Sequence, residues 1–325
     1  MRAIIRTQYG APEVLQLQEI AQPMPKDQEV LIKVYATTVN RTDCAVVSGK
    51  PFIMRFFTGL FKPKLLTPGT DFAGVIEAIG KDVKQFKIGD RVWGFDDNGL
   101  GSQAEYMTLR EDKAMIRIPD NITYQEAAAS AEAAHYAYNF INKVNINPGD
   151  KVMLHGATGA IGSAALQFLK NMGATVTATC RGQHIELIKS LGADKVIDYE
   201  QEDFTKDKEQ YHFVFDAVGK STFSKCKPLL YPGGVYISSE LGPGAQNPFL
   251  ALITPLLGGK KVKFPIPLDI KGSLQFIKNL LEQGKFKPLI DHEHPYQLEN
   301  ITAAYHYVAS EQKVGNVVLQ VRPFE

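Results

Sequence analysis

Residues 150–170, Asp-Lys-Val-Met-Leu-His-Gly-Ala-Thr-Gly-Ala-Ile-Gly-Ser-Ala-Ala-Leu-Gln-Phe-Leu-Lys, combine residue types and spacing that can do chemistry. A turn at Pro148-Gly149-Asp150 leads into a short apolar run, Val152 to His155, of the kind that forms a buried parallel strand. A glycine-rich corner follows, made of Gly156, Ala157, Thr158, Gly159, Ala160, Ile161 and Gly162. Ala164, Ala165, Leu166, Phe168 and Leu169 then predict a helix of small and apolar residues, ended by Gly173. The first N–H groups of a helix lack partners inside it, and its dipole places partial positive charge at that end. Strand, corner and helix start therefore predict an anion site.

The dinucleotide fingerprint G-x-G-x-x-G has Ala157 at its first glycine here. Gly159 leaves room for a pyrophosphate to approach the backbone, and Gly162 lets helix and strand pack closely. The competing reading is a strand-to-helix turn in some other doubly wound domain; the flanking strand and helix favour the fingerprint. NAD-binding units place an acid at the end of the second strand, roughly 20 residues beyond the glycines. Here that place reads Thr179-Cys180-Arg181-Gly182, with a cation and no carboxylate. A guanidinium can grip a 2′-phosphate bidentately, so Arg181 points to NADPH; the bland alternative is a solvated surface cation. Ser238, Ser239, Glu240 and Leu241 follow one strand end, while Val218 and Gly219 close another and are expected beneath the cofactor ribose. Ligands bind at that edge of such sheets, so Thr179, Val218, Gly219, Ser238 and Ser239 join the expected cofactor site.

The elements that must position these residues come from a chain of 325 residues, long enough for two domains with separate cores. With 36 basic and 35 acidic residues, bulk charge gives no sign of a nucleic-acid or membrane-surface partner. Cys44, Cys180 and Cys226 are odd in number and far apart, which argues against a disulfide framework or C-x-x-C zinc site and fits the cytoplasm. No signal peptide is read at Met1, and the apolar stretch Phe249 to Leu257, broken by Pro255, is too short to span a bilayer. A soluble protein is expected.

From Met1 to about Asn121 strand-like runs alternate with Gly/Pro punctuation: Arg2 to Arg6, Val14 to Gln18, Glu29 to Ala36, Thr70 to Ile79, Arg91 to Gly94 and Ala104 to Leu109. Asp43 to Val47 and the region around Phe52 to Phe61 look helical or irregular. Near Thr123 the texture becomes Ala-rich, and Gln125 to Ile141 predicts a helix opened by a Thr123/Glu126 capping box. Strands then alternate with helices: strands Lys151–His155, Thr175–Thr179, Lys195–Ile197, His212–Phe215 and Val235–Ser238, helices Gln183–Leu191 and Thr222–Leu230, and an acidic helix near Glu202. That order predicts a parallel sheet. An amphipathic helix Ile270–Gln283, a helical tail Ile301–Val308 and a strand Asn316–Val321 are returned to the first domain. The expected architecture is α/β: a catalytic domain of residues 1–123 and 269–325, and a doubly wound Rossmann domain of residues 124–268.

Several stretches together resemble the zinc-independent medium-chain dehydrogenases/reductases of the quinone oxidoreductase type. They are Val39-Asn-Arg-Thr-Asp43, the run from Pro68-Gly-Thr-Asp71 to Gly80, Gly89-Asp-Arg-Val92, Gln103-Ala-Glu-Tyr106, the glycine corner, Leu191-Gly-Ala-Asp-Lys-Val-Ile-Asp-Tyr199 and Phe215-Asp-Ala-Val-Gly219. The resemblance covers most of the chain and implies a GroES-like β-barrel catalytic domain, with nicotinamide and substrate meeting in a cleft. Zinc-using relatives carry a ligand Cys where Asn40 stands, a Gly-His-Glu where Gly69-Thr70-Asp71 stands, and a four-cysteine lobe that this sequence lacks. Zinc needs three or four N/S/O ligands, so no metal is expected. The substrate oxygen must then be polarised by hydrogen bonds. NADPH-using relatives place a Tyr at Tyr199 and a Lys near His184; the Tyr is present, and the Lys is not.

By resemblance, Asn40 faces nicotinamide and substrate, and its amide both donates and accepts; the equal alternative is a cap on the following helix, with Asp43 bracing the loop. Tyr136 and His135 lie on the Ala-rich helix near the expected cleft, as proton donors or as helix-face core. Asn40 and Tyr136 are taken as the catalytic candidates. Phe52, Phe56, Phe57 and Leu60 suggest an apolar lid or simply a cover on the barrel. The leading expectation is an NADPH-dependent reductase of a quinone or of the double bond of an α,β-unsaturated carbonyl compound. The alternative is an NADPH-binding regulatory or structural protein with little turnover. Pairing of two copies as a homodimer, with 261–264 as an edge strand, is a further expectation from relatives.

Overall fold

A computed structural model describes residues 1–292 and 296–323. The chain divides into two compact units, Met1–Glu132 with Asp269–Glu325, and Ala133–Leu268. The division falls after Glu132 rather than at Thr123, where the sequence changes texture. The cause is local: helix α3 (Tyr124–Ala129) packs on strands β3 (Glu29–Val39) and β4 (Asp71–Ile79), with Ala127, Ala128 and Ala129 buried.

In the first unit β1 (Arg2–Ile5) and β2 (Gln16–Glu19) form an antiparallel pair. Strands β3, β4, β5 (Arg91–Phe95), β6 (Tyr106–Arg110) and β7 (Met115–Arg117) belong to a seven-stranded sheet completed from the C-terminal segment by β14 (Tyr296–Gln297) and β15 (Val317–Gln320). β3 is its spine. One edge of β3 pairs with β4; the other pairs with β6 over Glu29–Lys33 and with β15 over Ala36–Val39. β3 buries nearly every side chain, all but Glu29 and Lys33, which fits its lack of a strict apolar/polar alternation. Ile32, Val34, Phe72, Ile76, Leu298, Tyr305 and Leu319 lie in one core.

Two short helices, α1 (Arg41–Ser48) and α2 (Met54–Thr58), follow β3, and α9 (Ile270–Glu282) and α10 (Ile301–Ala309) come from the C-terminal segment. Arg6, fully buried, donates from Nη1 to the carbonyls of Val46 (2.6 Å) and Val47 (3.3 Å), satisfying last-turn acceptors that α1 cannot use itself. On α9, Leu274, Ile277 and Leu281 are buried on the predicted apolar face.

The second unit is a parallel sheet of six strands between helices. Its strands are β8 (Lys151–His155), β9 (Thr175–Cys180), β10 (Lys195–Asp198), β11 (Tyr211–Asp216), β12 (Leu230–Ser238) and β13 (Lys261–Lys263), in the order β10-β9-β8-β11-β12-β13. The helices are α4 (Glu132–Ile141), α5 (Ala160–Asn171), α6 (Ile185–Ser190), α7 (Phe223–Cys226) and α8 (Gln246–Leu257). The expected α/β class is borne out.

Several local expectations are corrected. The Ala-rich helix is two helices, α3 and α4. Ser130 turns its hydroxyl back to the Glu126 carbonyl (2.6 Å), and the N–H groups of Ser130 and Ala131 reach back three residues instead of four, which closes α3. The acidic helix near Glu202 is a turn and a 3-10 segment, because Asp198 and Asp203 accept from N–H groups two residues on. Pro228 shortens the helix after Thr222 to α7 and a 3-10 turn. Strand β2 begins at Gln16, since Pro12–Val14 forms a 3-10 turn. Among the described residues no helix is long and apolar enough to cross a membrane.

Candidate functional site

The glycine corner stands at the carboxyl end of β8, a central strand of the second unit. Gly156 has φ +89°, a conformation that suits glycine, and a Cβ there would lie 2.5 Å from Val218 Cγ1. At Gly162 a Cβ would lie 2.1 Å from the Gly156 carbonyl oxygen, so close helix–strand approach demands glycine. At Gly159 a Cβ would meet only the Gly156 carbonyl oxygen, at 3.6 Å. Its bareness therefore relieves no clash and leaves space open. Helix α5 starts with no side-chain cap and no acid in its first turn; Ser163 N–H is bonded to Gly159 O at 2.8 Å. An uncapped, positively polarised helix start beside a cradle that a side chain would fill fits a pyrophosphate.

Thr179, expected at the cofactor edge, holds the corner, supported by His155 and Asp216, which were not expected as site residues. Gly156 N–H donates to Thr179 Oγ1 (3.1 Å), and Ala157 N–H donates to the Thr179 carbonyl (3.0 Å). The Thr179 hydroxyl lies 2.7 Å from His155 Nδ1, and the His155 ring stacks on Phe204 with centroids 4.3 Å apart. Burial lowers the His155 pKa, which favours the neutral ring able to accept the Thr179 proton. Thr179 thus acts from beneath the corner. On the other side, buried Asp216 accepts from the N–H groups of Val218 (3.2 Å), Gly219 (2.8 Å) and Ser221 (2.9 Å), and from Tyr236 O–H (3.2 Å). One carboxylate shapes the whole Val218–Ser221 loop. The available signal was an acid at a strand end three residues before a glycine, a common turn pattern.

Register places these strand ends side by side: His155 lies opposite Asp216, and Asp216 opposite Ser238. The structure therefore brings Gly156–Gly162, Thr179, Val218, Gly219, Ser238 and Ser239 to one edge. Ser238 Oγ accepts from Glu240 N–H (3.3 Å) and Ser239 N–H donates to the Asp216 carbonyl (3.0 Å), so both brace that edge. Arg181 follows β9, and its Nε lies 3.4 Å from Glu200 Oε1 in an exposed ion pair. Tyr199, 41% exposed, donates its N–H to the Cys180 carbonyl (3.1 Å), which fixes its backbone next to Arg181. Asp198 is also near: a Cβ on Gly182 would lie 2.5 Å from its Oδ2. His184 is hydrogen-bonded to Gln183 (3.0 Å).

In the first unit Asn40 caps α1. Its Oδ1 accepts from Asp43 N–H (2.7 Å), Asp43 Oδ2 accepts from Asn40 N–H (3.2 Å), and Asn40 Nδ2 donates to Thr70 Oγ1 (2.8 Å). Asp71 is fully buried and accepts from Thr38 N–H (2.7 Å), Thr38 O–H (2.5 Å) and Thr37 O–H (3.1 Å). Burial still pushes its carboxyl up to about 6. Burial, with Asp71 adding repulsion, holds Asp43 well above the usual carboxylate range. The donor set does not fit zinc: Asn40 offers an amide already used as a cap, Thr70 a hydroxyl, and Asp71 a carboxylate engaged by threonines. Among the described residues no group of three or more His, Cys, Asp or Glu could hold a metal ion.

Tyr136 and His135 lie on α4, in the second unit, so the two catalytic candidates belong to different units. His135 is fully buried, with Asn139 Nδ2 3.4 Å from its Nε2, while Tyr136 is half-buried.

Two family models match: an alcohol dehydrogenase GroES-like domain over residues 26–120 and a zinc-binding dehydrogenase over residues 191–319. The chain is 33% identical to a 2-methylene-furan-3-one reductase of Solanum lycopersicum, over 99% of this chain and 80% of that protein. It is 30% identical to a chloroplastic NADPH-dependent alkenal/one oxidoreductase of Arabidopsis thaliana, with the same coverage of 99% and 80%. The solved quinone oxidoreductase from Coxiella burnetii superposes with a TM-score of 0.87 at 25% identity, covering 99% of each chain. With this fold, that glycine corner and likeness along nearly its whole length, the chain belongs to the quinone oxidoreductase-like family of medium-chain dehydrogenases/reductases.

Proposed function

We propose that this protein is a zinc-independent, NADPH-dependent reductase of a quinone or of the double bond of an α,β-unsaturated carbonyl compound. The observation that carries the reading is the uncapped start of α5 behind a glycine cradle, with Arg181 where NAD-binding units keep an acid. The relatives named for NADPH-dependent alkenal/one reduction, furanone reduction and quinone reduction support the same class. Bound NADPH supplies the hydride. The α5 N–H groups would take the pyrophosphate, Arg181 and Tyr199 the 2′-phosphate, and Val218, Gly219, Ser238 and Ser239 the edge beside the ribose. Asn40 Nδ2 donates to Thr70 Oγ1 (2.8 Å) and, at a long 3.4 Å, to Thr38 Oγ1, so it would serve a carboxamide or substrate oxygen by exchanging the Thr38 contact, and Tyr136 is the proposed proton donor. The protein's main contribution is to hold reactants in register and exclude water.

The test is loss of nicotinamide absorbance on rapid mixing of protein and NADPH with a panel of quinones and enones. Acceptor-dependent oxidation is expected; NADPH binding without it would favour a regulatory protein with little turnover. Stoichiometric zinc in purified, active protein would overturn the metal-free reading. The three cysteines are free thiols, in keeping with the reducing cytoplasm proposed as its location. Edge strand β13, with the exposed Phe249, Leu252, Leu256 and Leu257 of α8, is the proposed surface for pairing two copies; a monomeric mass by light scattering would exclude it.

A further inference from the structure

The net charge of +1 conceals one segregated stretch. No acidic residue lies between Asp43 and Asp71, whereas Lys50, Arg55, Lys62 and Lys64 all do. The bounding acids Asp43 and Asp71 are both fully buried, so neither offsets these cations at the surface. The same stretch exposes Phe52 (59%), Phe56 (64%), Phe57 (63%) and Phe61 (87%), with Leu60 and Leu65 also open to solvent. Single exposed apolar residues are ordinary, but aromatic side chains gathered in one short segment mark a surface that meets something.

The segment is anchored from below. Tyr9 O–H donates to the Gly59 carbonyl (2.6 Å) and its oxygen lies 2.8 Å from Thr58 Oγ1. Arg55 stacks on the Tyr9 ring at 4.6 Å, Lys64 N–H bonds the Thr58 carbonyl (2.8 Å), and the Phe52 and Phe56 rings meet edge to face at 5.8 Å. The phenyl groups are therefore presented outward from a fixed turn.

The charge decides among occupants. A second copy meeting this patch about a two-fold axis would set cations against cations. A small acceptor molecule would account for the phenyl groups and not for the cations. We propose that residues 50–66 form a docking surface for an anionic phospholipid bilayer, with the aromatic side chains entering the headgroup region and the exposed Lys50, Lys62 and Lys64 facing lipid phosphates. An aromatic and basic face of this kind lies on a membrane without crossing it.

The test is cosedimentation of the full chain with vesicles of phosphatidylcholine, with and without phosphatidylglycerol, in the absence of dinucleotide and acceptor. Binding to the anionic vesicles is expected, weak on phosphatidylcholine alone and lowered by salt. K62E/K64E should lower partitioning at least about 25-fold, at roughly fivefold per cation. F56S/F61S should lower it while thermal midpoint and circular dichroism stay at parent values, since both side chains are exposed. As a second readout, Phe61→Trp should show an emission blue shift when anionic vesicles are added. The proposal is overturned by no binding to anionic vesicles at low salt, equal binding to both vesicle types, or binding indifferent to these substitutions. It is equally overturned if the parent is a dimer that F56S/F61S dissociates and binds no vesicles, which would give the face to a second copy. None of these outcomes bears on hydride transfer, because the assay contains neither reactant.

Discussion

Arg181 shows how a site residue can be half-engaged before its ligand arrives. Its pair with Glu200 has side chains 43% and 52% exposed, and an exposed pair of this kind contributes about 0–1 kcal/mol. A hydrogen bond to a charged phosphate contributes about 1.5–3 kcal/mol, so the phosphate should win the guanidinium. Arg181→Ala is expected to weaken NADPH by roughly 10- to 100-fold and to leave NADH nearly unchanged, read by fluorescence titration. Glu200→Gln should tighten NADPH about two- to fivefold by removing a competitor and a nearby negative charge. Equal losses for both dinucleotides in Arg181→Ala would remove it as selector. The cation was legible in the sequence; its partner was not, because Glu200 belongs to the turn after the next strand and nothing in residue type links the two. The capping role of Asn40 was legible in the sequence, and its amide oxygen fills it.

At the level of elements, the glycine corner separates two demands that a sequence pattern merges. Gly162 is required by contact and Gly159 is not. Gly162→Ala cannot be relieved by moving the Gly156 carbonyl, because residues 156 and 157 are both tied to Thr179. It should cost about 1–3 kcal/mol in denaturant unfolding as well as dinucleotide affinity. Gly159→Ala should leave unfolding nearly unchanged and still weaken dinucleotide binding by tenfold or more, on the order of one charge-assisted hydrogen bond. Unaltered binding in Gly159→Ala would show that the open space is not used. Alternation of strand and helix made the parallel sheet legible, helped by the apolar runs Val152–Leu154, Phe213–Phe215 and Val235–Ile237 in β8, β11 and β12. The helix break at Ser130 was hidden: an Ala-rich string fits one helix as well as two, and a hydroxyl bonding back to Glu126 decides between them. β7 and β14, three and two residues long, are too short to show a period.

For the molecule as a whole, buried carboxyls set how stability varies with pH. The Asp71 carboxyl is raised to about 6 in the folded state by burial, so the native state holds its proton more tightly than the unfolded chain. Stability from this group is therefore present at low pH and falls as pH rises from about 4 to about 6, then levels off. Asp43 and Glu132, raised further by burial, act in the same direction and over a wider range. Asp90 and Glu105, with carboxyls lowered chiefly by hydrogen bonds to Arg117 and Arg2 that outweigh desolvation, act oppositely, so the readout is the difference between parent and variant. Asp71→Asn should flatten that decline by at most about 3 kcal/mol, measured by thermal unfolding from pH 4 to 7. An unchanged slope would mean that Asp71 is ionised throughout. The acids were visible in the sequence, but their burial beneath threonines was not.

The sheet of the first unit is finished by residues from the far end of the polypeptide: β15 seals the edge of β3 along Ala36–Val39. On a ribosome, residues 133–268 would emerge complete and free to fold while that edge still waited, bare, for its last strand. The unit begun first is thus the unit completed last. A nascent or prematurely stopped product would carry a second unit able to form its whole sheet, joined to a first unit whose β3 edge stays unsealed.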